Sequence, residues 1–309
     1  SAPEETVVLD SLHVLWERCV HTVVNRDILA GTLEGVEELV MPEVDLNWRD
    51  ELRSGPPDHD ERPLMGIVSL LQEGGYKLRF AANPYRVWQV ALQPLGDALF
   101  ELLRTLPNDC TYDQDKGVEL AQEWLQQGLT LCSTDLSNAS DRIPLDMQLE
   151  YLSRLGIPTR WLQFFRSCCR GDWKVSRTKN PRSWENLRWS VGAPLGLYPV
   201  FPSFTLWHHA VVQAAFSKLN KPKVPAVVRD RFGKPKRVLV WPYAILGDDR
   251  IIADGEVDAL VCQWMKSWGL VIADHKSVTS NLVAEFAGRV ITKSQVVRGF
   301  KWKGPVSDD

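Results

Sequence analysis

The chain has 309 residues, 44% of them hydrophobic, with 36 Lys plus Arg against 39 Asp plus Glu and a net charge of −3. That length supports a large core in one elaborate domain or two to three subdomains, and the composition is that of an ordinary globular protein. No apolar run approaches the roughly 20 residues that a membrane helix needs, and no signal peptide is visible.

In chain order, residues 8–24 read as an amphipathic helix and 53–63 as a polar Pro/Gly break. Gly74 to Phe80 reads as a short basic strand. A helix is predicted from Val87 to Leu106, with an irregularity at Pro94, and another from Lys116 to Gln127. Cys132 to Leu136 reads as a buried strand that delivers Asp135 at its end. Pro144 suits the first turn of a helix in which Leu145, Leu149 and Leu152 share a face, and Gly156 and Pro158 end it. Residues 160–190 read as basic, aromatic and irregular.

A Gly/Pro-rich loop, Gly192-Ala193-Pro194-Leu195-Gly196-Leu197-Tyr198, leads into a helix from Pro202 to about Leu219. Residues 224–241 read as a hairpin turning at Gly233-Lys234-Pro235. Apolar runs then flank Gly247-Asp248-Asp249, which predicts a tight hairpin with two acids at its tip. Residues 256–268 read as a helix with Val257, Leu260, Val261, Trp264 and Trp268 on one face, stopped by Gly269. A last hairpin is expected from Phe286 to Ile291 and Val296 to Trp302. The pattern is α+β: a small antiparallel sheet, helices on one face, and a largely helical N-terminal region.

Charge is segregated. Residues 1–62 are acidic, whereas 154–188 carry nine Lys or Arg against Asp172 and Glu185, and 218–237 carry eight against Asp230 alone. Such walls favour phosphate contact on a globally acidic protein, and Arg166, Arg170, Lys174 and Arg177 are the RNA-binding candidates. The six Cys form no C-x-x-C pair, so zinc is not expected and all read as reduced packing residues.

Adjacent carboxylates repel, and a fold tolerates them best when a cation holds them. Asp135 at a strand end and Asp248 at a hairpin tip can supply oxygen ligands to two divalent ions about 3.5–4 Å apart, as nucleotidyl transfer needs. Asp249 is expected as an outer ligand. An acid, a glycine loop and a Gly-Asp-Asp hairpin, in that order, suggest a polymerase palm.

These motifs resemble the catalytic region of a viral RNA-dependent RNA polymerase of the narnavirus, ourmiavirus and mitovirus group. Asp135-Leu-Ser-Asn-Ala-Ser-Asp141 resembles motif A, and Gly192 to Tyr198 running on to Phe204-Thr-Leu-Trp-His-His209 resembles motif B. Leu246-Gly-Asp-Asp-Arg250 resembles motif C, and His275-Lys276-Ser277 with Ala284 to Gly288 resembles motifs D and E. Lys77-Leu-Arg79 and Cys110 to Gln114 resemble motif F and the fingers region.

The resemblance implies a right-hand polymerase with an antiparallel palm sheet, helical fingers and a truncated or minimal thumb. In that division residues 1–131 form the N-terminal region and fingers, 132–155 the palm with motif A, 156–191 a fingers insertion, 192–291 the palm with motifs B to E, and 292–309 the start of a thumb. It further implies Mg²⁺ (or Mn²⁺) bound by Asp135, Asp248 and Asp249. RNA template, product duplex and NTPs are the implied partners, together with a second polymerase chain where the thumb is missing. No membrane segment is implied, and the host cytoplasm is the expected location, ahead of the mitochondrion.

By the same resemblance, Lys77 and Arg79 hold the triphosphate, Lys276 acts as a general acid toward pyrophosphate, Asp141 senses the ribose 2′-hydroxyl, and Gly192, Gly196 and Ser203 approach the nucleotide. Two departures stand out. Many RNA polymerases have one residue fewer between the motif A acids, and many carry a motif B Asn, whereas no Asn lies between 187 and 219 here. Ser203, Thr205 or His208 is the candidate replacement, although His208-His209 reads foremost as a core-packing pair. The competing functions are a non-catalytic RNA-binding subunit of a divided polymerase and a reverse transcriptase.

Overall fold

The computed structural model describes residues 64–73, 77–176, 184–229, 234–273 and 277–298. The expected helix at 8–24, the break at 53–63, Arg177, Lys276 and the side chain of Lys77 lie outside the described residues. So do the tip of the 224–241 hairpin and the end of the last one.

The elements begin with strands β1 (Leu64–Glu73) and β2 (Lys77–Pro84) and helices α1 (Arg86–Thr105) and α2 (Gln114–Gln126). Then come β3 (Leu131–Thr134), β4 (Leu136–Ser137), α3 (Ala139–Arg142), α4 (Leu145–Arg154), α5 (Thr159–Cys169), β5 (Asp172–Ser176) and β6 (Trp184–Leu187). Helix α6 (Val200–Lys218) precedes β7 (Val224–Arg229), β8 (Pro235–Val240), β9 (Tyr243–Leu246) and β10 (Asp249–Ile252). The chain closes with α7 (Gly255–Ser267), β11 (Val271–Ile272), β12 (Val278–Ser280), β13 (Val283–Phe286), β14 (Arg289–Thr292) and β15 (Val296–Arg298). It divides into two compact units, one of residues up to 98 with 144–200, the other of 99–143 with 201 onwards.

The first unit holds a four-stranded sheet in the order β2-β1-β5-β6, antiparallel except for the β1–β5 pair. Trp88 is fully buried and its indole N–H donates to the Leu64 carbonyl at 2.9 Å. Pro94 does not break α1, because the surrounding Ala91, Leu92 and Leu95 are all buried and hold the helix by packing. Within 160–190, residues 160–169, 172–176 and 184–187 lie in α5, β5 and β6, where irregularity was expected. Trp161, Phe164, Phe165, Cys168 and Cys169 recur at helical spacing between the arginines and are all buried, which makes α5.

The second unit holds the sheet β12-β3-β10-β9, antiparallel throughout, with Asn108–Cys110 bonded along the outer edge of β9. One face, carrying Leu131, Ala244 and Ile251, packs on Val118, Ala121, Trp124 and Leu125 of α2 and on Ala284 and Phe286 of β13. The other face meets α7. That helix is capped by Asp254, which accepts the N–H groups of Glu256 and Val257. Its buried stripe is Val257, Val261 and Met265. Trp264 and Trp268 are half-buried instead of core residues, with Trp268 edge-on to Trp207 at 5.5 Å and Lys218 over Trp264. The stripe follows i, i+4, i+8, which rotates Trp264 and Trp268 off its centre.

Phe286 and Ile291 belong to different strands, contrary to expectation. Ala287 and Gly288 both have positive φ, 53° and 67°, and form the two-residue turn between β13 and β14.

Candidate active site

Strand β3 is fully buried as Leu-Cys-Ser-Thr and ends one residue before Asp135. At Asp135 the chain changes partners: β3 pairs with β10, whereas β4 just beyond pairs with β11. The Asp135 carbonyl accepts the Ala273 N–H at 2.9 Å, so the backbone at this crossing is held. The β3–β10 ladder runs Cys132–Ile252, Ser133–Ile251, Thr134–Arg250. The next step along it sets Asp135 opposite Asp249. Between β9 and β10 only Gly247 and Asp248 intervene, and only Gly247 has positive φ, at 64°. That is the pattern of a type II′ hairpin, whose first central residue is glycine.

Asp135, Asp248 and Asp249 are therefore gathered at one end of the sheet, each half-buried. Burial pushes the Asp249 carboxyl up to about 7. A backbone bond from Ala287 opposes this, and the charges of Asp248, Asp135 and Glu285 add to it. The Ala287 N–H donates to Asp249 Oδ2 at 2.7 Å. Such crowded carboxylates suit a hard divalent cation with oxygen preference. Among the described residues no three His, Cys, Asp or Glu side chains converge as a ready-made cage. The donor chemistry thus fits Mg²⁺ or Mn²⁺, with ligands left for water and substrate phosphates to supply.

The side chains alternate, so Arg250 and Thr134 point to the opposite face. Arg250 is fully buried and donates from Nε and Nη2 to Asp258 of α7 at 3.3 and 3.1 Å, with Cys262 and Met265 sulfurs alongside. Thr134 Oγ1 donates to the same carboxylate.

Helix α6 meets the hairpin through its histidines. His208 Nδ1 lies 2.9 Å from the Gly247 carbonyl, and its Nε2 is buried without a partner among the described residues. Burial, aided by the Arg250 charge, lowers its pKa to about 3, so it is neutral. His209 lies between Asp109, 3.1 Å from Nε2, and the Tyr243 hydroxyl, 3.0 Å from Nδ1, and burial lowers its pKa too. Gln213 donates to the same hydroxyl at 2.7 Å. Both histidines are core residues, as their reading as a packing pair anticipates. Asp109, Tyr243, Gln213 and Asp258 carried no motif signal, because their roles depend on pairing across distant segments.

Of the other expected site residues in this unit, Asp141 is exposed on α3 after Asn138, whose φ of 52° makes the turn that follows Ser137. Ser203 is fully buried within α6, and Thr205 Oγ1 donates to the Phe201 carbonyl one turn back. His208 meets Gly247, and neither it nor Thr205 is bonded to Asp141.

In the first unit, Arg79 is exposed on β2. The glycine loop is pinned to its own unit. A Cβ at Gly196 would fall 1.8 Å from the Ala82 carbonyl oxygen, so the glycine serves a close approach to β2. Gln89 donates to the Gly196 carbonyl at 2.7 Å and accepts the Tyr198 N–H at 3.0 Å, while Tyr198 Oη donates to Asp97. The Arg170 guanidinium spans the carbonyls of Trp189, Val191 and Gly192. Arg170 thus holds the entry to the loop. Arg166 is exposed and paired with Asp146 at 3.0 Å, and Lys174 is half-buried on β5.

A family model described as Mitovirus RNA-dependent RNA polymerase matches residues 5–307. The chain is 30% identical over 232 residues to the RNA-directed RNA polymerase of Cryphonectria parasitica mitovirus 1, covering 74% of this chain and 26% of that protein. It is 28% identical over 202 residues to the uncharacterized mitochondrial protein AtMg01410 of Arabidopsis thaliana, covering 62% of this chain and 89% of that protein. Among solved structures it is similar to the RNA-dependent RNA polymerase of a human picorbirnavirus, with TM-score 0.52 and 17% identity over 74% of this chain and 43% of that one. It is also similar to telomerase from Candida tropicalis, with TM-score 0.55 and 11% identity over 82% of this chain and 52% of that one. At these identities the solved structures bear on the fold alone.

Proposed function

Because the chain belongs to the mitovirus RNA-dependent RNA polymerase family, we propose that it provides the catalytic core for template-directed RNA synthesis in viral genome replication. The observation that carries this reading is the pairing of β3 with the Gly-Asp-Asp hairpin, which gathers Asp135, Asp248 and Asp249 at one sheet end. The chain spans 26% of the mitovirus polymerase it matches, so the activity of a whole polymerase belongs to the proposal.

In this reading a 3′-hydroxyl oxygen attacks the α-phosphorus of an NTP, the bond from that phosphorus to its bridging oxygen breaks, and pyrophosphate leaves. Divalent ions, when bound, neutralise charge on the attacking and leaving oxygens. Asp135 and Asp248 would hold them. Asp249, anchored to the Ala287 N–H, completes the negative field. Arg79 and Lys77 of β2 supply cations for the triphosphate, Lys276 carries a proton toward pyrophosphate, and Asp141 reads the ribose. Gly192 and Gly196 shape the loop that meets template and nucleotide, and Ser203 approaches the nucleotide. Arg166, Lys174 and Arg177 contact RNA phosphates. Arg170 serves the loop.

The relatives from Arabidopsis thaliana are named mitochondrial proteins, which favours the mitochondrion over the host cytoplasm as the place of action. Among the described residues no helix is long and apolar enough to cross a membrane.

The test is template direction. Four short RNA templates that differ at one position are each offered all four labelled NTPs with Mg²⁺. Incorporation of the complementary nucleotide in every case supports the polymerase reading. RNA binding without incorporation, even when a thumb-bearing segment is added, supports the non-catalytic RNA-binding subunit instead. Preference for dNTPs would indicate reverse transcription.

A further inference from the structure

Strand β9 is fastened to helix α6 at both ends. Tyr243, its first residue, is bonded through its hydroxyl to His209. Gly247, just past its last, is bonded through its carbonyl to His208. Phe201, Phe204 and His208 lie at i, i+3 and i+7, one face of α6. The same face wedges the turn from the side: a Cβ at Gly247 would lie 2.9 Å from the Phe201 ring and 3.7 Å from that of Phe204.

We infer that His208 is a positioning residue, whose Nδ1–H donates to the Gly247 carbonyl and thereby sets the place of the Gly247-Asp248 turn and its carboxylate. The proton assignment follows from the partner, since a carbonyl only accepts. Nε2 then keeps a bare lone pair, and it is buried with nothing to bond among the described residues. An unsatisfied buried acceptor is a cost. A phenylalanine would fill similar space without it, so packing alone does not account for an imidazole here. Among the described residues, the one polar bond the ring makes is on the Gly247-Asp248 turn. His209 has both nitrogens matched, to Asp109 and Tyr243, and holds the far end of the strand.

The test uses the full chain and three variants. In His208→Asn the amide Nδ2 takes the place of Nδ1 and can still donate; in His208→Gln the donor moves to the ε position; His208→Phe has none. Hydrogen exchange is followed by mass spectrometry in the peptide covering 243–252. The turn amides are expected to exchange about 10-fold faster in the Gln and Phe variants, the factor for losing one hydrogen bond, and at the wild-type rate in the Asn variant. Wild-type rates in the Gln and Phe variants, or equal release in all three, would overturn the inference. Where Gln and Phe variants do not fold, the Asn variant decides: a protected turn supports it and a released turn overturns it.

In nucleotide incorporation, the Gln and Phe variants should lose kcat with KM for NTP unchanged, and Asn should restore kcat. That arm rests on the polymerase reading, whereas the exchange arm does not, so the two fail separately.

Discussion

The backbone N–H of Ala287 donates to the Asp249 carboxylate at 2.7 Å, and Ala287 does so from a left-handed conformation, with φ of 53°. That conformation costs a residue with a Cβ roughly 1–2 kcal/mol. Ala287→Gly keeps the backbone donor and removes that strain, offset by greater freedom in the unfolded chain. The expected outcome is a gain of about 1 kcal/mol in urea unfolding, with incorporation activity retained.

Arg250 and Asp258 form a pair in which the guanidinium is fully buried. Among the described residues, Asp258→Ala leaves that charge with only the two sulfurs of Cys262 and Met265. Breaking a buried pair costs about 3–5 kcal/mol, and chemical denaturation should read a loss of that size. Arg250→Met in the same background should recover much of it, because no buried charge remains.

Gly196→Ala places a methyl 1.8 Å from the Ala82 carbonyl oxygen. The obstacle is backbone, so the loop or β2 must shift, at a cost of about 1–3 kcal/mol typical of overpacking. Loss of the 2.7 Å bond from Gln89 to the Gly196 carbonyl should accompany it. Urea unfolding checks the first, and protection of the peptide covering 189–198 checks the second.

Much of this architecture is legible in the sequence. The hairpin at Asp248 and Asp249 announces itself because apolar alternation stops at a glycine turn, a local signal. So does Asp135 at the end of an apolar run, and the helix that follows the glycine loop. Helix α5 is obscured because its stripe of Trp161, Phe164, Phe165 and Cys168 is interleaved with arginines that dominate a charge reading. The roles of Asp109, Gln213 and Asp258 are not legible, since each is defined by a partner 8 to 100 residues away. The glycine at 196 is visible, but its purpose is not: a close approach to Ala82 is a tertiary fact.

Acidification should weaken what the two buried histidines contribute to stability. His208 has a folded pKa of about 3 against 6.5 for the free side chain, and His209 is lowered as well. Below about pH 6.5 the unfolded chain takes up protons that the folded chain refuses. The His208 contribution is therefore full above that pH and falls as pH drops, by about 1.4 kcal/mol per pH unit, and His209 acts in the same direction. The raised Asp249 carboxyl acts oppositely over the same window, because the folded chain holds a proton there that the unfolded chain has released. Urea unfolding at pH 7, 6 and 5 therefore reads the His208 contribution as the difference in slope between the wild type and His208→Asn, expected to be one proton.

The place of Asp248 in a metal-dependent nucleotidyl-transfer site is tested most directly by incorporation of labelled NTPs on a short RNA template with Mg²⁺. This chain is compared with Asp248→Ala after circular dichroism shows both folded. RNA product is expected from the first, abolished by chelation of the metal, and none from the second. Equal product from both would contradict the assignment.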